Sequence, residues 1–380
     1  MKVLVVSGIW PPDVGGPASH APDVAAFLSE RGHEVEVVTT AERAPAPEPY
    51  RIHWVSRRLP KGVIHARTTA EIARRARRSD VVYTTGMFGR SSAGSLTARR
   101  PYVLKLTADP AFERARRRGM VDGDIEAFQR LPGDAAVRAL RLARNLELRH
   151  ARHVFTPSAY LRELTVSWGV PAHRISVLPN PFPLLPELPP REALRDSFGV
   201  EGPMLAFAGR LTAQKSLGIA FDALARVDGV ALFIAGEGDE RGPLERRVEE
   251  LGLQERVRFL GAQPRARVVE LFAAADASIL SSTWENFPHT VVEALAVGTP
   301  VIATTVGGVA EVVHDGENGL LVAPGDAPAL ARAIATYFAD AELRDRLRAA
   351  AAPSVADYAP ARVFGLLERE LLEAAHTLRA

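Results

Sequence analysis

Short apolar runs alternate along this chain with longer segments in which apolar residues recur every three or four positions. Lys2–Ser7 reads KVLVVS and Glu34–Thr39 reads EVEVVT. Between them, Ser19–Arg31 has helical spacing and stops at Gly32, a residue that tolerates the left-handed turn closing a helix. A strand, a loop, a helix and a second strand in that order predict a parallel sheet with crossover helices, because parallel neighbours need a long connection. Further strands are predicted at Arg51–Val55, Val81–Thr84, Tyr102–Leu106, Val154–Thr156 and Ile175–Leu178, with a helix over Ala135–Ala151. The pattern then stops. Pro179 to Pro190 contains six prolines, a density that excludes helix and central strand and reads as a linker.

A second set of strands follows at Met204–Ala208, Val230–Ala235, Val257–Leu260, Ala277–Leu280, Val301–Ala303 and Gly319–Val322, with helices between them. After Pro324 the chain is Ala-, Leu- and Arg-rich helix, broken at Ala352–Pro353 and Ala359–Pro360 before a last helix, Ala361–Ala375. The class is therefore α/β, with each half long enough for a nucleotide-fold domain; 380 residues suit two cores. Open parallel sheets bind ligands outside the carboxyl ends of their strands. The loops that follow strands are thus where chemistry is sought.

Composition narrows the possibilities. Hydrophobic residues make up 47% and charged residues 24%, as in ordinary globular proteins. No apolar run approaches the ~20 residues that span a bilayer. Met1–Val6 enters a strand directly, without the features of a signal peptide. The absence of cysteine excludes disulfides, thiolate metal ligands and thiol nucleophiles. A cytoplasmic location is expected. The net charge of +2 conceals an asymmetry. Basic clusters occur at Arg57–Arg78, at Arg114, Arg116, Arg117 and Arg118, and at Arg138, Arg141, Arg144, Arg149 and Arg152. One such run is ordinarily a solvated helix face. Three in one half predict a basic surface suited to anionic lipid head groups, peripheral at the inner membrane face, or to a phosphorylated acceptor. Nucleic acid is not expected as a partner, since aromatics are not interleaved with the arginines and no binding motif occurs.

The most informative stretch is Ser281–Pro300, SSTWENFPHTVVEALAVGTP. A helix is predicted from Phe287–Pro288, with proline at its first position. Val291, Val292, Leu295 and Ala296 form its apolar stripe. Glu293 lies off that stripe, free to face a cleft or water, and Glu285 sits on the loop before it. Alone, the pair reads equally as a site or as two solvated acids. The loop Gly209–Ser216, GRLTAQKS, sends Arg210 and Lys215 from one strand end. A guanidinium fork and an ammonium together suit a diphosphate, although two solvated cations are the commoner outcome. Gly15 and Gly16, at the first strand–helix turn, let backbone approach a phosphate or sugar closely. Gly236-Glu237-Gly238 is another strand-end glycine turn.

Taken together, these pieces resemble the retaining, nucleotide-sugar-dependent glycosyltransferases of family four. The resemblance rests on WPPDVGG at Trp10–Gly16, GRLTAQK at Gly209–Lys215, AGEG at Ala235–Gly238 and VRFLG at Val257–Gly261. ENFPHTVVEALAVGTPVIAT at Glu285–Thr304 and GGVAEVVHDGENGLLV at Gly307–Val322 complete it, in the family's order. It implies the GT-B fold, two Rossmann-like domains facing across a cleft. Residues 1–180 would form the acceptor side, with the last helix, 360–380, packing back on it, and 181–355 the donor side. It also implies roles. Glu285 and Glu293 match a Glu-x7-Glu pattern, Glu285 holding the donor sugar and Glu293 the ribose hydroxyls. The backbone of Asn286, Phe287, Pro288 and His289 would surround the sugar, and Thr290 would touch phosphate. Arg210 and Lys215 would neutralise the leaving diphosphate, with no metal and no cofactor beyond the nucleotide sugar itself, UDP-sugar favoured over GDP- or ADP-sugar. Gly16 would approach the diphosphate from the other domain, and backbone groups of Arg258 would frame the base. The acceptor would be a sugar, glycolipid or small molecule.

Departures from the family pattern are visible. Thr107, Ala108 and Asp109 stand where many members carry a histidine, so Asp109 is a candidate for assisting the sugar or acceptor, against a plain helix-cap reading. Ser216 and Pro288 replace common glycines, and Asn180-Pro181 replaces an Asn-Gly turn. Alternative readings are a GT-B sugar-nucleotide epimerase, a non-catalytic sugar-binding protein and an NAD-type Rossmann oxidoreductase. The last lacks its fingerprint, because Gly236-x-Gly238-x-x-x-Gly242 has one residue too many for G-x-G-x-x-G.

Overall fold

The structure, a computed structural model, describes residues 1–13, 16–121 and 125–376. The chain divides into two compact units, Met1–Pro179 with Val363–Ala380, and Asn180–Arg362. Among the described residues the first unit is built on a seven-stranded sheet of β1 (Lys2–Ser7), β2 (Glu34–Ala41), β3 (Arg51–Ser56), β4 (Val81–Thr84), β5 (Tyr102–Lys105), β6 (His153–Thr156) and β7 (Ile175–Val177). The second carries six strands, β8 (Met204–Ala208), β9 (Ala231–Ala235), β10 (Val257–Gly261), β11 (Ala277–Leu280), β12 (Val301–Thr304) and β13 (Gly319–Val322).

All strand pairs within both sheets are parallel, and each order folds outward from an early strand. The first sheet runs β3-β2-β1-β4-β5-β6-β7 and the second β10-β9-β8-β11-β12-β13. The chain winds one way from β1 or β8, then returns to the other side of it. Consecutive connections therefore leave in opposite directions at β1/β4 and at β8/β11, and a crevice opens at each carboxyl edge. At β8/β11 the loops beginning at Gly209 and Ser281 emerge side by side.

Burial explains why the strands read as unbroken apolar runs. Val3, Val5, Val37, Val81, Tyr83 and Val103 face one core, and Leu4, Val6, Val38, Val82 and Leu104 face the other. With both sheet faces covered, alternation of apolar and polar residues is lost. The strands also bury polar groups, and one of these is charged: Lys105, whose ammonium is wholly buried and donates to the Pro179 carbonyl at 3.1 Å. Burial pushes its pKa down to about 7.

From Val363 onward the final helix, Pro360–His376, belongs to the first unit. Val363, Phe364, Leu367 and Leu371 sit in the core that also holds Val24 and Leu28 of the helix Gly16–Glu30. Glu368 accepts from His33 at 2.7 Å and pairs with Arg31. Several boundaries differ from expectation, among them two at helix ends. The first helix starts at Gly16 rather than Ser19, and the helix Ala341–Ser354 runs through Pro353. Near a helix end proline removes only its own N–H bond, so the break falls just after it.

Leu371→Ala should cost about 2–5 kcal/mol through the cavity it leaves. Leu184→Ala, at a site 86% exposed, should stay within about 0.5 kcal/mol of wild type. Chemical denaturation of the full chain separates the two.

Candidate active site at the carboxyl edge of the second sheet

The loop after β8 is fixed by backbone bonds to the loop after β9. Gly209 N–H donates to the Ala235 carbonyl at 3.0 Å, and Leu211 N–H to that of Glu237 at 2.9 Å. The approach is too close for side chains. A Cβ on Gly236 would lie 1.8 Å from the Gly209 carbonyl oxygen, so glycine is obligatory there. The Gly209 carbonyl thus occupies the side of Gly236, an expected ligand-binding position, where a side chain would lie.

Beyond Leu211 the loop makes a single 3-10 turn, Ala213–Lys215, and leaves it through Ser216 at φ 45°. This left-handed conformation is the one glycine favours, and the chain keeps it with serine in that place. The turn is tied to the loop after β11. Ser281 Oγ donates to the Lys215 carbonyl at 2.9 Å, Gln214 Nε2 to the Trp284 carbonyl at 2.7 Å, and Thr283 N–H to the Gln214 carbonyl at 2.9 Å.

These ties bring Lys215 to Glu285. The Lys215 ammonium donates to Glu285 Oε1, and Ser282 Oγ donates to the same oxygen at 2.7 Å. Glu285 is only 5% exposed. Its main chain is clamped from the other side, where Gly308 N–H donates to its carbonyl at 3.1 Å. Gly307 has φ 48°, and a Cβ there would meet the Glu285 carbonyl oxygen at 1.8 Å. Arg210, on the same loop as Lys215, is exposed and forms no ion pair among the described residues. The edge thus holds a neutralised buried pair with an uncommitted cation on the adjoining loop.

Phe287 packs against Tyr358, and Asn180 Nδ2 lies 3.0 Å from His289 Nε2. Asn286 and Thr290 are half-buried, while His289 is exposed. The helix begins one residue later than expected. It runs His289–Ala296, and Pro288 occupies the cap position at φ −86°, ψ 80°. Glu293 departs further from expectation, since it does not face open water but is 8% exposed. The neighbouring helix Arg265–Ala274 covers it, and Arg265 pairs with it at 3.0 Å. Burial pushes the Glu293 pKa above its ordinary 4.5, with Arg265 opposing the shift.

Two expected site residues have other engagements. Arg258 is the second residue of β10, near its amino end. Its guanidinium donates to the Phe198 and Gly199 carbonyls, both at 3.2 Å, and stacks on Phe233. The carboxyl end of that strand is Gly261, whose carbonyl accepts from Gly236 N–H at 2.8 Å. Asp109, in the first unit, is wholly buried. It caps the helix Pro110–Arg117 through Ala111 N–H at 2.8 Å, pairs with Arg144 at 2.7 Å and accepts from Gln129 Nε2 at 2.9 Å. Its oxygens are committed to holding three helices together, so the cap reading is the one its geometry supports. Gly16 opens the first helix, and Gly15 lies outside the described residues.

Sequence reasoning missed Ser282, Gly307 and Arg265. The first two lie inside quoted segments whose roles were not worked out. Nothing in the spacing linked Arg265 to Glu293. Among the described residues no group of three or more His, Cys, Asp or Glu side chains is arranged to hold a metal, and no helix is long and apolar enough to cross a membrane.

The raised Glu293 pKa fixes a sign. Between the ordinary carboxylate value and the raised one, the folded state holds a proton that the unfolded state has released. Stability therefore falls as pH rises through that interval. Glu293→Gln removes the effect, so the stability of wild type minus that of the variant should decline across it. Denaturation at a series of pH values measures this, and a flat difference would count against the assignment.

Comparison with known proteins matches this architecture. Residues 191–353 match the model of "Glycosyl transferases group 1", and residues 15–181 that of "Glycosyl transferase 4-like domain". A D-inositol 3-phosphate glycosyltransferase of Nocardia farcinica is 30% identical over 369 residues, 88% of this chain and 79% of that one. An uncharacterised glycosyltransferase of Methanocaldococcus jannaschii is 28% identical over 371 residues, 91% of each chain. Among solved structures, HepE of Anabaena in complex with UDP superposes with a TM-score of 0.79 at 24% identity, over 98% of this chain and 100% of that one. The two sheets, the crevice at β8/β11 and these full-length similarities place the chain in the family-four type of group 1 glycosyltransferases, with the two-domain GT-B fold.

Proposed function

We propose that this glycosyltransferase moves a hexosyl group from a UDP-sugar to an acceptor hydroxyl with retention of anomeric configuration. In this reading the unit Asn180–Arg362 binds the donor and the first unit carries the acceptor. The observation that carries the proposal is the buried Glu285, held by Lys215 and Ser282, next to the loop that presents Arg210. Further support comes from solved HepE structures, which are complexes with UDP, with UDP-glucose, and with UDP and glucose.

The geometry suggests a division of labour. Glu285 accepts hydroxyls of the donor sugar, and its fixed carboxylate sets the sugar's orientation. Lys215 and Arg210 meet the diphosphate. As the bond from the anomeric carbon to phosphate oxygen breaks, negative charge grows on that oxygen. Cations already in place stabilise it without reorganisation. Glu293, buried beside Arg265, accepts from the ribose hydroxyls. With Glu285 engaged by Lys215 and Ser282, and Asp109 buried in its cap, neither serves as a nucleophile. The acceptor oxygen then attacks from the face the diphosphate leaves, and its proton passes to the departing phosphate oxygen.

UDP should raise the melting temperature of the full chain, more than GDP or ADP does. Arg210→Ala should weaken UDP binding roughly tenfold or more, the worth of one charge-assisted hydrogen bond. Glu285→Gln, which keeps the side chain's shape, should retain UDP binding but slow sugar transfer on the order of a hundredfold or more. An α-linked product from an α-linked donor, read by proton NMR, would establish retention. No response to any nucleotide would sink the donor assignment.

A further inference from the structure

A cavity of about 690 Å³ opens in the first unit, next to the carboxyl ends of β1 and β4. Four arginines line it, Arg90, Arg114, Arg117 and Arg118, against one carboxylate, Glu147. That carboxylate is already committed, since Arg114 grips it as a fork, with its closest approach at 3.2 Å. Arg117 donates through Nε to the Glu113 carbonyl at 3.2 Å, and both it and Arg118 are exposed. Deeper in, Arg90 Nη1 is shielded from solvent without a hydrogen-bond partner. Burial pushes the guanidinium's pKa down. Thr85 also lines the cavity, 3% exposed, and its Oγ1 has no partner either.

Such groups are costly as they stand. A half-buried guanidinium with no counter-charge forfeits solvation and gains nothing in return. An unpaired buried hydroxyl adds to the cost. The group that would satisfy them has more than one negative charge and several acceptor oxygens in a compact tetrahedron. A neutral sugar leaves the cations unmatched, and a carboxylate offers one charge and two oxygens. A phosphomonoester offers up to two charges and three oxygens, and guanidinium forks match it bidentately.

We infer that this cavity is an acceptor subsite, in which Arg90, Arg117, Arg118 and Thr85 bind a phosphomonoester carried by the sugar acceptor. The inference rests on the reading of the first unit as the acceptor side. A soluble sugar phosphate and a lipid head group present this same chemistry.

The test uses the full chain saturated with UDP, so that phosphate probes cannot report on the donor site. Inorganic phosphate, glucose 6-phosphate and glucose are titrated calorimetrically at constant ionic strength. Vesicles of phosphatidylcholine with and without phosphatidic acid are assayed by co-sedimentation. Binding of inorganic phosphate and glucose 6-phosphate, but not glucose, is the expected result. Each phosphate probe should bind roughly tenfold or more weakly to Arg90→Gln and to Arg118→Gln. Arg118 is exposed, so its variant keeps the test valid even where Arg90→Gln fails to fold. Binding confined to phosphatidic acid vesicles, with the same loss in the variants, assigns the phosphate to a lipid. No binding of any phosphate probe, or equal binding by wild type and both variants, overturns the inference. In that case a retained response to UDP leaves the donor reading standing, and loss of both responses removes both.

Discussion

The contact that organises the carboxyl edge of the second sheet, and on which the proposed donor site would depend, is the ion pair between Lys215 and Glu285. Two opposite charges so little exposed persist only with good geometry and with their remaining hydrogen-bonding capacity met. Here Ser282 supplies part of that capacity. The loops that carry the partners are joined by Gln214, Thr283 and Ser281 through backbone carbonyls. The pair therefore acts as a preset socket. In the proposed reading a donor sugar would meet a carboxylate whose direction is already fixed, the entropy of ordering that side chain having been lost during folding rather than at binding.

Glycine makes the socket possible. At Gly236 and Gly307 one backbone passes so near another that any side chain would strike a carbonyl oxygen. The loops after β8, β9, β11 and β12 consequently stack main chain on main chain. Such a wall presents rigid peptide groups where longer side chains would have left slack. At Ser216, where the family pattern has glycine, the chain keeps the left-handed turn. That residue bears an unfavourable backbone conformation, whose cost is on the order of 1 kcal/mol, and its Oγ donates to the Ala213 carbonyl at 3.0 Å.

Much of this was legible in the sequence, and what was not has identifiable physical causes. Strands buried on both faces announce themselves as continuous apolar runs, and the thirteen described strands all lie on segments predicted as strands, including β3, RIHWVS, which has no buried residue. The linker is written in its prolines. Lys215 and Glu285 were each legible as site candidates, but their union depends on strand order, which a one-dimensional pattern does not contain. Glu293 shows the limit of helical-wheel reasoning. The wheel correctly sets it off its own helix's apolar stripe, yet the helix Arg265–Ala274 covers that face too. Arg258 was placed by strand rather than by position within it, and a shift of three residues moves a group from one edge of a sheet to the other. For Asp109 both readings were available, since an acid before proline is an ordinary helix start, and burial among Arg144, Gln129 and Ala111 decides between them.

The return of the last helix to the first unit has a consequence for biogenesis. Val363, Phe364, Leu367 and Leu371, with Ala374 and Ala375, complete a core whose other buried members run from Val3 to Leu178, so the ribosome must pass through the whole of Asn180–Arg362 before that core can close. Asn180–Arg362, in contrast, is one uninterrupted stretch and can consolidate as soon as it clears the exit tunnel. The portion synthesised first is thus the portion finished last. During that interval its apolar strands wait without their final cover, exposed to the chaperones and proteases that survey nascent chains.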